Sequence, residues 1–186
     1  TGVTNGTESG VQQVTATILD DDTSPTVTLA LSPATIGEAV GVSTVTATLS
    51  VVSGLATTVT LAFTGTTTNN TDYTRSATQI VIPAGSLSGT MTLTAVQDTR
   101  VEGNETSIVD IAGVANGTES GTQQVTATIV DDDPVPTLTI SDYMVVEGNL
   151  GTTNAVFAVV LSAPSGLTVS AVATAADDTA DSPSDY

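Results

Sequence analysis

Residues 3–22 read VTNGTESGVQQVTATILDDD and residues 114–133 read VANGTESGTQQVTATIVDDD. The two segments differ only at Thr4/Ala115, Val11/Thr122 and Leu19/Val130. Their offset of 111 residues is too long for one coil of a solenoid and suits one small domain. The chain therefore reads as a window onto a tandem array, with one complete copy and parts of two neighbours. Each copy closes on three consecutive aspartates, Asp20–Asp22 and Asp131–Asp133.

The aspartate runs set the expected boundaries. Residues 1–22 are the closing strands of a preceding copy, and residues 23–133 are a complete unit. Residues 134–186 open a following copy at Pro134-Val135-Pro136 and reach Asp185-Tyr186, the counterpart of Asp72-Tyr73. Two arrangements fit: a longer protein of which this is a part, or neighbouring chains that complete the broken units and cover their strand edges.

Inside the unit, period two dominates. Val45, Ala47, Leu49 and Val51 point one way while Thr44, Thr46, Thr48 and Ser50 point the other. Val59, Leu61 and Phe63 repeat the pattern, as do Met91, Leu93 and Ala95, then Val125, Ala127 and Ile129. Each set predicts a strand with one buried face and one face of β-branched Thr turned to water. About seven strands follow, near 26–32, 43–51, 57–64, 79–83, 89–96, 106–112 and 123–130. The stretches between them are rich in turn residues, including Ser32–Pro33, Gly65–Asp72, Pro83–Gly89 and Gly103–Asn104. No segment carries a 3.6-residue apolar stripe, so no long helix is expected. Seven short antiparallel strands in one unit predict an all-β, Greek-key, immunoglobulin-like sandwich, repeated in tandem.

Charge narrows the chemistry. Twenty acidic residues face two basic ones, Arg75 and Arg100, for a formal charge of −18. That balance repels nucleic acid and anionic membrane surfaces and attracts cations. The chain has no Lys, His or Cys. Zinc and copper lose their usual ligands, disulfides are excluded, and only oxygen donors for hard cations remain. Apolar residues make up 39% of the chain, which is too many for the composition of a disordered segment. No apolar run has the length of a membrane span. A Lys-free, Thr-rich acidic repeat suits a bacterial-type cell-surface or extracellular protein.

The acidic residues of the unit fall in four separated segments. Glu38 follows the first strand, and Asp72 precedes Tyr73 in a turn. Asp98, Glu102 and Glu105 share one connection, and Asp131, Asp132 and Asp133 close the unit. Antiparallel strands of similar length return their connections to two poles, so the four segments can meet at one. Clustered carboxylates repel one another unless a cation or wide exposure relieves them. Calcium, with six to eight oxygens in irregular geometry, suits such loops better than magnesium.

At these residues the chain resembles the Calx-beta domain family. The carriers are Ile36-Gly37-Glu38, Thr71-Asp72-Tyr73, the Asp98-x-x-x-Glu102-x-x-Glu105 segment, and Val125–Asp133 with its closing Asp-Asp-Asp. Family members are seven-stranded sandwiches, and many bind calcium at one end. The resemblance implies Ca²⁺ ligands at Glu38, Asp72, Asp98, Glu102 and Asp131–Asp133, with Glu105 in support and the Arg100 carbonyl as a further donor. Strong binders carry more aspartates where this chain has Gln97 and Thr99, and Arg100 adds a positive charge. Fewer ions or weaker binding follow, toward the range of about 10⁻⁴–10⁻³ M of extracellular modules. The following copy offers Glu147, Asp177, Asp178 and Asp185 for an incomplete site, and Asp20–Asp22 are the remnant of another.

Three function classes compete. A calcium-stiffened structural module of an adhesin stalk or filament leads, because near-identical copies suit a duplicated spacer whose partners are neighbouring repeats or other copies of the chain. A regulatory calcium sensor of a membrane transporter is the second, since the family supplies such domains. An enzyme is disfavoured: carboxylate pairs serve glycosidases, but His, Cys and Lys are absent and aromatic residues are few. A metal-free spacer is the plain alternative, in which the aspartates are solvated linkers.

Overall fold

A computed structural model describes residues 4–146, 148–176 and 178. Glu147, Asp177 and Asp185, named above for the following copy, lie outside the described residues.

Twelve strands occur among the described residues: β1 (Thr26–Ser32), β2 (Thr35–Gly37), β3 (Val42–Leu49), β4 (Thr57–Gly65), β5 (Tyr73–Arg75), β6 (Gln79–Ile82), β7 (Ser88–Ala95), β8 (Glu105–Ala115), β9 (Thr118–Glu119), β10 (Gln124–Val130), β11 (Leu138–Ile140) and β12 (Val159–Leu161). The first ten build two five-stranded sheets, in the orders β5-β7-β3-β1-β9 and β2-β10-β8-β4-β6. The fold is an all-β sandwich, and no helix occurs among the described residues.

Alternation produces the layers. Val45, Ala47 and Leu49 of β3 are buried, as are Val59 and Leu61 of β4, Met91, Leu93 and Ala95 of β7, and Ala127 and Ile129 of β10. These side chains and those of Val27, Ile80, Ile82 and Val109 form one core between the sheets. One expectation from periodicity needs correction, and Phe63 and Val125 pack against the core while only partly buried. Val51 lies beyond the end of β3 and is half exposed, since no sheet continues there to cover it. Near the end of β4, the Arg75 guanidinium lies 4.4 Å from the Phe63 ring centroid and covers it.

The seven expected strands all occur, and three short ones join them. β2, β5 and β9 are two or three residues long, shorter than any window in which alternation can be counted. Their pairing comes from topology. The Ser32-Pro33 pair, joined by a cis peptide bond, ends β1, because proline has no N–H for the ladder. The chain then crosses to the other sheet, where β2 runs parallel to β10. The buried Ser43 hydroxyl donates to the Pro33 carbonyl at 2.6 Å and pins this crossing.

The two near-identical segments behave differently. Residues 124–130 form β10, while residues 13–19, the same strand in sequence, carry no strand, and Val14 and Ile18 are exposed. Their local turns nevertheless agree: Asn5 and Asn116 share φ of 59°, and Gly10 and Gly121 have φ of 74° and 67°. Gln12 N–H donates to Glu8 Oε1 at 3.1 Å, and Gln123 N–H donates to Glu119 Oε1 at 2.5 Å. Turns are written locally, whereas a strand needs a neighbour to pair with.

β11 and β12 pair in a ladder that matches the β1–β3 ladder. Leu138 pairs with Leu161 as Val27 pairs with Leu49. Thr137 N–H donates to Ser162 Oγ at 2.9 Å, as Thr26 N–H does to Ser50 Oγ.

Candidate metal centre

One pole of the sandwich collects the starts of β3 and β8 and the ends of β4, β7 and β10. Every acidic segment singled out from the sequence arrives there on a different element. Glu38 follows β2, where its N–H donates to the Val130 carbonyl at 3.1 Å. Asp72 closes the turn before β5, and its Oδ2 accepts from the Thr68 N–H. Asp98 and Glu102 lie on the connection from β7 to β8, Glu105 opens β8, and Asp131–Asp133 follow β10.

The carboxylates gather in two triads. Oxygens of Glu38, Asp98 and Asp133 lie within 4.8 Å of one another, and so do oxygens of Asp72, Glu102 and Glu105. Asp131 joins Glu38, Asp72, Glu102 and Glu105 around a cavity of about 10 Å³ between them, room for about one water-sized particle. Asp132 is not part of either triad; it is exposed and accepts from Gln97 Nε2 at 3.1 Å. Gln97 and Asn69 are the residues that the sequence left unassigned. Gln97 Nε2 also donates to the Asp98 carbonyl at 2.9 Å. Asn69, in the Asp72 turn, has a buried Oδ1 without a partner. Neither carries a charge, and the side chains that charge and the family pattern mark as ligands are all carboxylates.

Local hydrogen bonds shape the acidic connection. Arg100 N–H donates to Asp98 Oδ1 at 2.7 Å, and Asp98 N–H donates to Glu38 Oε1 at 3.1 Å. The turn after Glu38 holds Val40 at φ of 122°, a backbone region that β-branched residues rarely adopt. The Arg100 guanidinium lies 3.5 Å from Glu102 Oε1, so the second triad already leans on one positive group.

The electrostatics are those of an uncompensated site. Burial, then the Asp72 and Glu102 charges, push the Glu105 carboxyl up to about 7. Burial raises Glu38 as well, opposed by the Asp98 N–H and reinforced by Asp98, Asp133 and Asp131. Asp133 is raised too, by desolvation and then by the Asp131, Asp132 and Asp98 charges. Asp131 Oδ1 and Asp133 Oδ2 are buried without a hydrogen-bond partner. Orphaned acceptors of this kind call for a donor or a cation. An all-oxygen set around a small cavity fits a hard divalent ion. Holding such an ion is the chemistry this arrangement offers.

The family profile of the Calx-beta domain matches residues 8–133. No curated protein sequence matches the chain. Among solved structures, CBD12 from CALX1.2 aligns with a TM-score of 0.50 at 18% identity, covering 63% of this chain and 49% of that one. The calcium binding domain CBD12 of CALX1.1 aligns at 0.49 and 19% identity, covering 57% and 44%. The apo-form Calx CBD1 domain aligns at 0.47 and 18%, covering 58% of this chain and 99% of that one. At such identity the first likeness shows the fold alone, and this chain spans about half the length of that structure.

Proposed function

Because residues 8–133 make the chain a member of the Calx-beta domain family, we propose that it is a structural calcium-binding repeat of a long extracellular surface protein. The observation that carries this reading is the pair of carboxylate triads at one pole, with the orphaned Asp131 and Asp133 oxygens beside them. Glu38, Asp98 and Asp133 would hold one ion. Asp72, Glu102 and Glu105, with Asp131 adjacent, would hold another. Calcium supplies positive charge that these side chains lack, and neutralising them stiffens the pole facing the next unit.

The array reading draws on the internal copy at residues 3–22 and 114–133 and on the matching β11–β12 ladder. No helix is long and apolar enough to cross a membrane among the described residues. An adhesin stalk or filament, with neighbouring repeats as partners, uses these features directly.

Thermal unfolding in EDTA, in millimolar calcium and in millimolar magnesium tests the proposal. At a hundredfold excess over Kd, a bound ion adds about 2.7 kcal/mol, roughly ten degrees for a unit this size. A shift with calcium that magnesium cannot match supports it. Identical midpoints in all three overturn it and leave a metal-free spacer.

A further inference from the structure

Val101 is buried, yet it is not part of the sandwich core. Its backbone meets the segment at 165–166: Val101 forms a parallel bridge with Ser165, and Gly166 N–H donates to the Val101 carbonyl at 2.9 Å. The acidic turn at Arg100–Glu102 thus meets the Ser165–Leu167 loop, a head-to-tail contact under the array reading.

Side chains of the acidic turn crowd the glycine at that joint, and any larger residue there has to push Glu102 and Arg100 aside. A Cβ on Gly166 would stand 2.7 Å from Glu102 Oε1, 2.9 Å from Glu102 Cγ and 3.0 Å from Arg100 Cδ. Its own backbone does not demand glycine, since its φ is not positive.

The same loop occurs in the complete unit at Ser53-Gly54-Leu55. Leu49 and Leu161 occupy the same ladder position. Leu55 N–H donates to Ser53 Oγ at 3.1 Å, and Leu167 N–H donates to Ser165 Oγ at 3.1 Å. Here, however, the loop is bare. Nothing lies within 4 Å of a Cβ on Gly54, its φ is not positive, and Leu55 is 64% exposed. A cleft of about 290 Å³ opens beside it, lined by Asp20, Asp22, Val52 and Asn116. Neither space nor backbone conformation within the unit explains a glycine at 54.

We propose that the Ser53-Gly54-Leu55 loop is a docking socket for the acidic turn, equivalent to Arg100–Glu102, of another copy of this same unit. The units then stack pole to pole through one repeated joint. A heterologous contact whose rotation does not close into a ring propagates as a rod. One contact of this size is weak between free molecules and effective when the chain tethers its halves. The inference rests on the array reading above and not on cation binding.

The test uses spin labels on a chain that has no cysteine of its own, at Thr46→Cys on the outer face of β3 and at the exposed Thr139→Cys of β11. The 186-residue chain should give one narrow interspin distance, lost in Gly166→Val and kept, with an unchanged melting temperature, in Gly54→Val. A chain running 1–133 and then 23–186, labelled across the added boundary, should lose its narrow distance when Gly54→Val is placed in the downstream copy. A lowered melting temperature for Gly54→Val in the 186-residue chain overturns the proposal. So does a distance that survives Gly166→Val, or one that survives Gly54→Val in the extended chain. All runs are made in EDTA and in calcium. Failure of calcium to stabilise a chain whose narrow distance persists strikes at the cation reading and leaves the socket standing.

Discussion

The backbone N–H of Asp98 donates to Glu38 Oε1 at 3.1 Å across 60 residues of sequence. The connection after β7 is thereby held against the end of β2 by the protein itself, before any ion enters. Glu38→Gln keeps an acceptor at the same place and removes the charge. In EDTA it should unfold within about 0.5 kcal/mol of the parent or above it, whereas Glu38→Ala should cost about 1 kcal/mol for the lost acceptor. Both should lose part of the calcium-induced rise in midpoint. A Glu38→Gln variant that keeps the full calcium response would remove Glu38 from the ligand set.

The three closing aspartates should not be equivalent. Asp131 and Asp133 each present a buried oxygen without a partner, while Asp132 is exposed and engaged by Gln97. Asp131→Asn or Asp133→Asn should each erase most of the stabilisation of about 2.7 kcal/mol that one ion adds at a hundredfold excess over Kd. Asp132→Asn should leave it nearly intact. Calorimetric titration checks this directly, and equal losses at all three positions would dissolve the distinction.

Stability in EDTA should fall as pH rises. Glu105 is pushed up to about 7 from 4.5 by burial and by the Asp72 and Glu102 charges. Its folded form therefore holds a proton more tightly than its unfolded form. The resulting stabilisation is fully present below about 4.5 and is lost as pH climbs through about 7. Glu38 and Asp133 are shifted in the same direction. Calcium must displace that proton, so its affinity should weaken below pH 7. Glu105→Gln should flatten the EDTA midpoint between pH 4.5 and 7, and an unflattened curve would place the titration elsewhere.

Arg100 competes with a cation for Glu102. Its guanidinium lies 3.5 Å from Glu102 Oε1 and is partly exposed, where such a pair is worth about 0.2–1 kcal/mol. Removing it with Arg100→Ala frees a carboxylate oxygen and lowers the local positive charge. Calcium affinity should rise up to about fivefold, the equivalent of 1 kcal/mol, and its dependence on salt should change. A fall in affinity would mean that the arginine organises the site more than it competes there.

The sandwich was legible because its long strands alternate, as Val45, Ala47 and Leu49 do. The acidic pole was legible because charge marks its members one by one. Their division into two triads was not, since nothing in the sequence near Asp132 says that Gln97 will claim it. β2, β5 and β9 escaped for a related reason. A two- or three-residue strand has no periodicity of its own and exists only because a neighbour offers a free edge.

Ile18 and Ile129 show the same limit in a measurable form. They sit at matching positions of the copied segment, TATIL and TATIV. Ile129 is 5% exposed in the core beside β8, and Ile18 is 96% exposed. Propensity is shared and the adjoining residues differ only at Leu19 against Val130, so a large difference in their energetic roles must come from tertiary packing. Ile129→Ala should cost about 2–5 kcal/mol through lost burial and the cavity left behind. Ile18→Ala should stay within about 0.5 kcal/mol, as surface changes do. Chemical denaturation of the two variants decides the matter. Comparable losses would show that residues 13–19 also pack against a sheet in solution, supplied by another copy of the chain.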